Sequence, residues 1–111
     1  MYYIDEMIVS DEFIELYVLL CHTVSKPDRL KIINTIGKGK MNVSALQKEL
    51  NISMSNLSNH LNDLYRAGVL GREKKGNYTY YYLNEPRLLE GISQMQEIFK
   101  SITSRRGSNS E

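Results

Sequence analysis

The chain is expected to fold as a mainly α domain with a small β-hairpin, an α+β arrangement of about five helices and a two-stranded antiparallel ribbon. Three observations predict this. Apolar residues recur at helical spacing from Ser10 to Gly68, broken only by short links rich in capping residues. Over residues 69–83 the pattern turns strand-like around Gly76-Asn77. Leu88, Ile92, Met95, Phe99 and Ile102 then form a narrow seam at alternating steps of four and three.

Residues 1–9 form a short lead containing Tyr2 and Tyr3. A first helix follows over 10–24, with Phe13, Tyr17, Leu20 and Val24 on one stripe and Ile14 and Leu16 beside it. It is more apolar than one core face requires, and a second buried surface such as a subunit contact would account for the excess. In Ser25-Lys26-Pro27-Asp28, Ser25 can cap a second helix and Pro27 suits its first turn. Asp28 at N3 would close a capping-box-like pair and complement the helix dipole. Leu30, Ile33 and Ile36 point inward and Gly37 ends the helix, leaving Gly37–Lys40 as a turn.

Asn42 is placed to cap a short helix, Val43–Leu50, with Val43, Leu46 and Leu50 apolar. Asn51-Ile52-Ser53 links it to the next. There Ser53 caps, Leu57, Leu61 and Leu64 make one apolar stripe, and Gly68 supplies the left-handed residue that stops the helix. Two short helices so closely joined, over 42–67, make a helix-turn-helix whose second member reads. The polar face of this second helix carries Ser55, Ser58, Asn59, Asn62 and Arg66, with Asn56 and His60 on the flank. A solvated face ordinarily favours Lys, Glu, Gln and Arg, since Ser and Asn are poorer helix formers. Short amides and hydroxyls suit a helix lying close against base edges in a major groove.

Val69–Glu73 and Tyr78–Leu83 are the strand candidates, flanking a turn of Lys74-Lys75-Gly76-Asn77. A hairpin directly after a helix-turn-helix reads as a wing over 69–83, with Lys74 and Lys75 placed to meet phosphates. Of Tyr78, Tyr80, Tyr81 and Tyr82, some are expected in the core and the rest over the hairpin, in preference to stacking on single-stranded bases. The seam helix, over 85–103, is spaced for helix pairing, either with another chain or with the first helix of its own domain. Residues 1–103 are read as one domain, and residues 104–111 as a disordered tail.

Composition narrows the function. The chain has 111 residues, 41% hydrophobic and 24% charged, as in a soluble globular domain. No apolar run approaches a membrane span and no export signal is evident, so a cytoplasmic location is expected, with no membrane partner. One cysteine, Cys21, excludes an intramolecular disulfide and a cysteine-clustered zinc site. The net charge of +1 conceals an asymmetry. Residues 1–16 carry Asp5, Glu6, Asp11, Glu12 and Glu15 with no Lys or Arg. Residues 26–75 carry Lys26, Arg29, Lys31, Lys38, Lys40, Lys48, Arg66, Arg72, Lys74 and Lys75 against Asp28, Glu49, Asp63 and Glu73. A basic middle around a polar reading face favours a polyanion partner.

Residues 24–83 resemble the ArsR family of winged-helix transcriptional repressors. The resemblance lies in Ser25-Lys26-Pro27-Asp28-Arg29-Leu30, in Ser55-Asn56-Leu57-Ser58-Asn59-His60-Leu61, in Leu64-Tyr65-Arg66-Ala67-Gly68-Val69, and in Gly76 followed by Tyr81-Tyr82-Leu83. It implies a homodimer built on the first and last helices, including Phe13, Tyr17, Leu20, Leu88, Ile92, Met95, Phe99 and Ile102. It implies two reader helices in successive major grooves of double-stranded DNA at an inverted-repeat operator, and release when an inducer binds. The DNA contacts expected are Ser55, Asn56, Ser58, Asn59, His60 and Asn62 from the helix, and Arg72, Lys74, Lys75 and Asn77 from the wing. Asn77 stands where the family often has arginine.

Departures from the family bear on the inducer. The segment Val43-Ser44-Ala45-Leu46-Gln47 lacks the Cys-x-Cys of many metal sensors, and Leu88–Ile102 contains no histidine. Neither known metal route is expected, and no cofactor. Cys21 and the adjacent His22 point about 100° apart on a helix and do not readily share one metal. Cys21 is read first as a buried small hydrophobe, with a thiol switch across a dimer or a metal site shared with another chain as the lesser alternatives. No phosphate loop, nucleophile-base spacing or carboxylate pair suggests an enzyme. The competing reading is a winged-helix module for protein or RNA contact, without sequence-specific DNA binding.

Overall fold

A computed structural model of the chain describes the backbone of residues 2–4 and 7–109 and the side chains of residues 10–106. The order is β1 (Tyr2–Ile4), β2 (Met7–Val9), α1 (Asp11–Val24), α2 (Pro27–Ile36), β3 (Lys40–Asn42), α3 (Val43–Leu50), α4 (Met54–Arg66), β4 (Leu70–Lys75), β5 (Tyr78–Leu83) and α5 (Leu88–Asn109).

Side-chain caps start three of the helices. Ser10 Oγ accepts from the Phe13 N–H at 3.1 Å, Asn42 Oδ1 from Ala45 at 2.8 Å, and Ser53 Oγ from Asn56 at 3.3 Å. Each satisfies an orphan donor of a first turn, worth about 0.5–2 kcal/mol. The second helix differs from its expected start. Its N-cap is Lys26, which makes no side-chain cap bond, and Pro27 opens the helix. Ser25 instead ends α1, its N–H bonded to the Cys21 carbonyl. With the helix starting later, Asp28 is not at N3 and closes no capping box.

The core lies where α2, α3 and α4 meet the sheet. Ile32, Ile33, Leu46, Leu57, Leu61, Leu64 and Leu70 are fully buried, with Ile36, Val69, Tyr81 and Leu83 around them. Leu30, expected to point inward, is only partly buried, and Ile32 takes the interior position. The buried side of α2 spans Arg29, Ile32, Ile33 and Ile36, at i, i+3, i+4 and i+7, a single inward stripe.

The wing is three-stranded rather than two-stranded, in the order β3-β5-β4 and antiparallel throughout. Lys40, Met41 and Asn42, expected in or beside a turn, pair with Tyr82, Tyr81 and Tyr80. β5 thus sits at the centre, with Tyr81 and Leu83 turned into the core. The lead contains a short hairpin, β1 paired with β2. The last helix runs to Asn109, through most of the residues expected as a disordered tail; residues 110 and 111 lie outside the described residues.

α1 and α5 are incompletely covered. Leu88, Leu89 and Ile92 pack partly against the core. Farther along α5, Met95 is 64% and Phe99 62% exposed, with Ile98 and Ile102 also open. On α1, Phe13, Leu16, Tyr17, Val18, Leu19 and Leu20 are all exposed. An open apolar groove of about 680 Å³ runs between the two helices, lined by Tyr17, Leu20, Cys21, Ile92, Met95 and Phe99 among others. The seam is therefore not buried against the first helix of its own chain. Among the described residues no helix is long and apolar enough to cross a membrane.

Gly71 pairs with Tyr82, and the tyrosine ring lies across it. A Cβ at Gly71 would meet two ring carbons at 2.5 Å and Asn84 Oδ1 at 2.6 Å. Asn84 is itself held, its Nδ2 donating to the Gly68 carbonyl at 2.9 Å. Gly71→Ala is therefore expected to destabilise the fold by about 1–3 kcal/mol. A thermal melt should show this as a lower Tm, and an unchanged Tm would mean that the ring moves aside freely.

Candidate nucleic-acid interface

α4 is oriented by what it buries. Leu57, Leu61 and Leu64 are sealed in the core, which turns Ser55, Asn56, Asn59 and Asn62 outward as exposed side chains; Ser58 is half-buried. The turn before α4 sets its angle. Asn51 ends α3 in the left-handed conformation, φ 53° and ψ 43°, with its N–H bonded to the Gln47 carbonyl. Asn tolerates that region better than most residues. The outward face thus offers short donors and acceptors on a rigid, capped helix.

The wing sits beside the C-terminal end of α4. Its hairpin loop is only Gly76-Asn77, with Gly76 at φ 60° in the first central position, as a II′ turn requires. Lys74 and Lys75, expected in the turn, are the last residues of β4, paired with Thr79 and Tyr78. Strand alternation sends their side chains to opposite faces of the wing. The Arg72 guanidinium stacks on the Tyr65 ring, 3.9 Å from its centroid, bridging the wing and α4.

Charge on the wing is partly internal. Glu73 Oε1 lies 2.9 Å from Lys40 Nζ and 3.9 Å from Lys75 Nζ. The hydrogen bond from Lys40 holds the Glu73 carboxyl below its ordinary value, with the Lys75 charge adding to it. Lys40 also lies over the Tyr82 ring, 5.2 Å from its centroid. Among the described residues Lys74 has no carboxylate within ion-pair distance. Lys74, Lys75, Arg72 and Asn77 are all exposed.

His60 does not join this face. Its Nδ1 accepts from Arg29 Nε at 3.0 Å, and its Nε2 lies 3.7 Å from Asp28 Oδ2. The ring, expected to contact a base or phosphate, is engaged with Arg29 and Asp28 of α2. Its place between Leu57 and Leu64 is the reason, since residues three and four apart lie on the same side of a helix. Arg29, counted above in the basic middle segment, is 5% exposed and enclosed in the same cluster. Asp63 completes it by accepting from Arg29 Nη2. Neither Arg29 nor Asp63 stood out in the sequence, although Arg29 shares the inward stripe of α2 with Ile33 and Ile36.

Cys21 is exposed in the single chain, not buried as a small hydrophobe, because the groove it lines is open. Among the described residues no three His, Cys, Asp or Glu side chains converge as a metal site.

Comparison with known proteins places this architecture. Residues 26–70 match the family described as "Bacterial regulatory protein, arsR family". The transcriptional repressor SdpR of Bacillus subtilis is 36% identical over 72 residues, 65% of this chain and 80% of SdpR. The transcriptional repressor PagR of Bacillus anthracis is 38% identical over 77 residues, 68% of this chain and 76% of PagR. The crystal structure of PagR superposes with a TM-score of 0.66, covering 78% of this chain and 99% of PagR. The homodimeric winged helix-turn-helix DNA-binding domain Mb0332 of Mycobacterium bovis shares the fold, with a TM-score of 0.71 at 16% identity over 85% of this chain and 90% of that one. With its helix-turn-helix, its wing and these relatives, the chain is a winged helix-turn-helix protein and belongs to the ArsR family of bacterial regulatory proteins.

Proposed function

We propose that the chain acts as a homodimeric transcriptional repressor that binds an inverted-repeat operator in duplex DNA and is released by an inducer. The observation that carries this reading is the exposed Ser/Asn face of α4, held outward by three buried leucines beside a basic wing. In this reading Ser55, Asn56, Ser58, Asn59 and Asn62 approach base edges in the major groove. Arg72, Lys74, Lys75 and Asn77 lie along the flanking backbone, where contacts position the protein without reading sequence. No enzymatic step is part of this role, and its place is the cytoplasm, with the DNA. Relatives named as transcriptional repressors support the regulatory role.

The open faces of α1 and α5 support the dimer. A second copy would cover Phe13, Tyr17 and Leu20 together with Met95, Phe99 and Ile102, while Leu88 and Ile92 tie α5 to its own core. The homodimeric state of Mb0332, which has the same fold, agrees with this arrangement. Residues 1–103 then act as one functional unit, with residues 10–24 and 85–103 dimerising. A two-fold dimer would place two readers on one side of the duplex, which matches an inverted repeat.

Assembly is checked by sedimentation. The native protein is expected to be a dimer at micromolar concentration, and Met95→Glu or Phe99→Glu should yield monomers or unfolded chain, because a buried unpaired charge is costly. A monomeric native protein would overturn the dimer.

Recognition is checked by salt titration on a duplex selected from a random pool and on a scrambled duplex. Asn59→Ala should weaken binding to the selected duplex by about 1–3 kcal/mol and spare the scrambled one, since an amide can pair bidentately with adenine. Lys74→Ala and Lys75→Ala should each weaken binding to both and reduce the salt slope by about 1. Equal losses on both duplexes for all three variants would remove the reading role of α4. Failure to retain any duplex at moderate salt would favour a protein-contact or RNA-contact module.

A further inference from the structure

Arg29 sends its guanidinium to two neighbouring helices. Nη1 donates to the Thr23 carbonyl at 2.9 Å, in the last turn of α1. Nε donates to His60 Nδ1 at 3.0 Å and Nη2 donates to Asp63, both on α4. From the solvent side Arg66 reaches the second Asp63 oxygen at 3.3 Å, and Asp28 Oδ2 lies 3.7 Å from His60 Nε2. One side chain rooted on α2 thus joins the end of the proposed dimer helix to the proposed reader. Burying a guanidinium is costly, and an apolar side chain of similar size often serves stability as well. What the guanidinium adds is three directed bonds in one plane.

The bond to His60 sets a condition. Arginine only donates, so Nδ1 must present a lone pair, and the neutral ring carries its proton on Nε2, facing Asp28. A proton on Nδ1 would set N–H against N–H and bring two cations together. The charged groups facing the ring are Asp28 and Arg29 from α2 and Asp63 from α4, with Arg66 on the far side of Asp63; α1 contributes the uncharged Thr23 carbonyl. Asp28 and Asp63 attract an imidazolium, but neither removes the clash of two donors.

We propose that Arg29 is the positioning residue that sets α4 against α1, and that it does so only while His60 is neutral. The consequence for DNA rests on the reading role proposed for α4. Acidification through the histidine range then weakens binding. General electrostatics has the opposite sign, because added positive charge tightens binding to a polyanion.

The test has two arms. In the free protein, nitrogen chemical shifts of His60 should show an unprotonated Nδ1 at about pH 8. Residual dipolar couplings should show the angle between α4 and α1 changing as the pH falls to about 5.5, the histidine range. His60→Asn, whose amide oxygen replaces the Nδ1 acceptor and does not titrate, should hold the angle constant. At fixed salt, wild-type affinity for the selected duplex should fall about tenfold over the same range, near the lower end of what one charge-assisted hydrogen bond contributes. His60→Asn should bind as the wild type does at high pH and show no pH dependence, whereas His22→Asn should keep the wild-type profile. Arg29→Lys should weaken binding at every pH; if it fails to fold, the His60→Asn comparison decides.

A proton on Nδ1 at high pH, an α4 angle indifferent to pH, or a pH slope that persists in His60→Asn would overturn the proposal. If the angle changes as expected but no duplex is retained at any pH, the DNA-reading role fails and the positioning of α4 by Arg29 stands.

Discussion

The arrangement depends on burial of Leu57, Leu61 and Leu64, which leaves α4 one rotation about its axis. Each fully buried leucine contributes about 1.5–3 kcal/mol relative to exposure. Any roll that brought the Ser/Asn face inward would forfeit that and bury amides without partners, at a further cost. The poor helix formers on the outer face are tolerated because tertiary packing, rather than propensity, holds the helix. Ser53 at the start and Gly68 just past the end keep the stiff segment short. The same rotation places Tyr65 under Arg72, which ties the wing to α4.

A second constraint comes from what the single chain leaves uncovered. α1 exposes apolar residues on most of its surface, and α5 does so beyond Ile92. Exposed apolar surface of this extent marks an interaction face. The two faces border one groove, so a partner covering one would meet the other. Arg29 bonds to the last turn of α1, and so the base of the reader is tied to the base of that face.

Legibility in the sequence followed the range of the interactions. α3, α4 and their caps were readable because Asn42, Ser53 and the leucine spacing act within a few residues. The pairing of Gly76-Asn77 between strands was equally local. β3 was not, since Lys40-Met41-Asn42 has no alternation of its own and becomes a strand only by pairing with the distant β5. The last helix outran its expected end because a helix already formed propagates through residues that would not start one. On the candidate interface, the outward Ser and Asn residues were legible from period alone. The engagement of His60 with α2 is not legible in the sequence, because its partner Arg29 lies 31 residues earlier in the chain. Arg29 and Asp63 stand in the sequence as two charges among many, and only the fold shows that they satisfy each other.

The central claim is that two α4 helices of one dimer read the same face of a duplex. Hydroxyl-radical footprinting on a selected duplex tests it most directly. The account predicts two protected patches related by a two-fold axis, centred about 10 base pairs or a small multiple apart. Flanking protection should appear where the wings lie. A single asymmetric patch, or uniform protection with no periodicity, would contradict it.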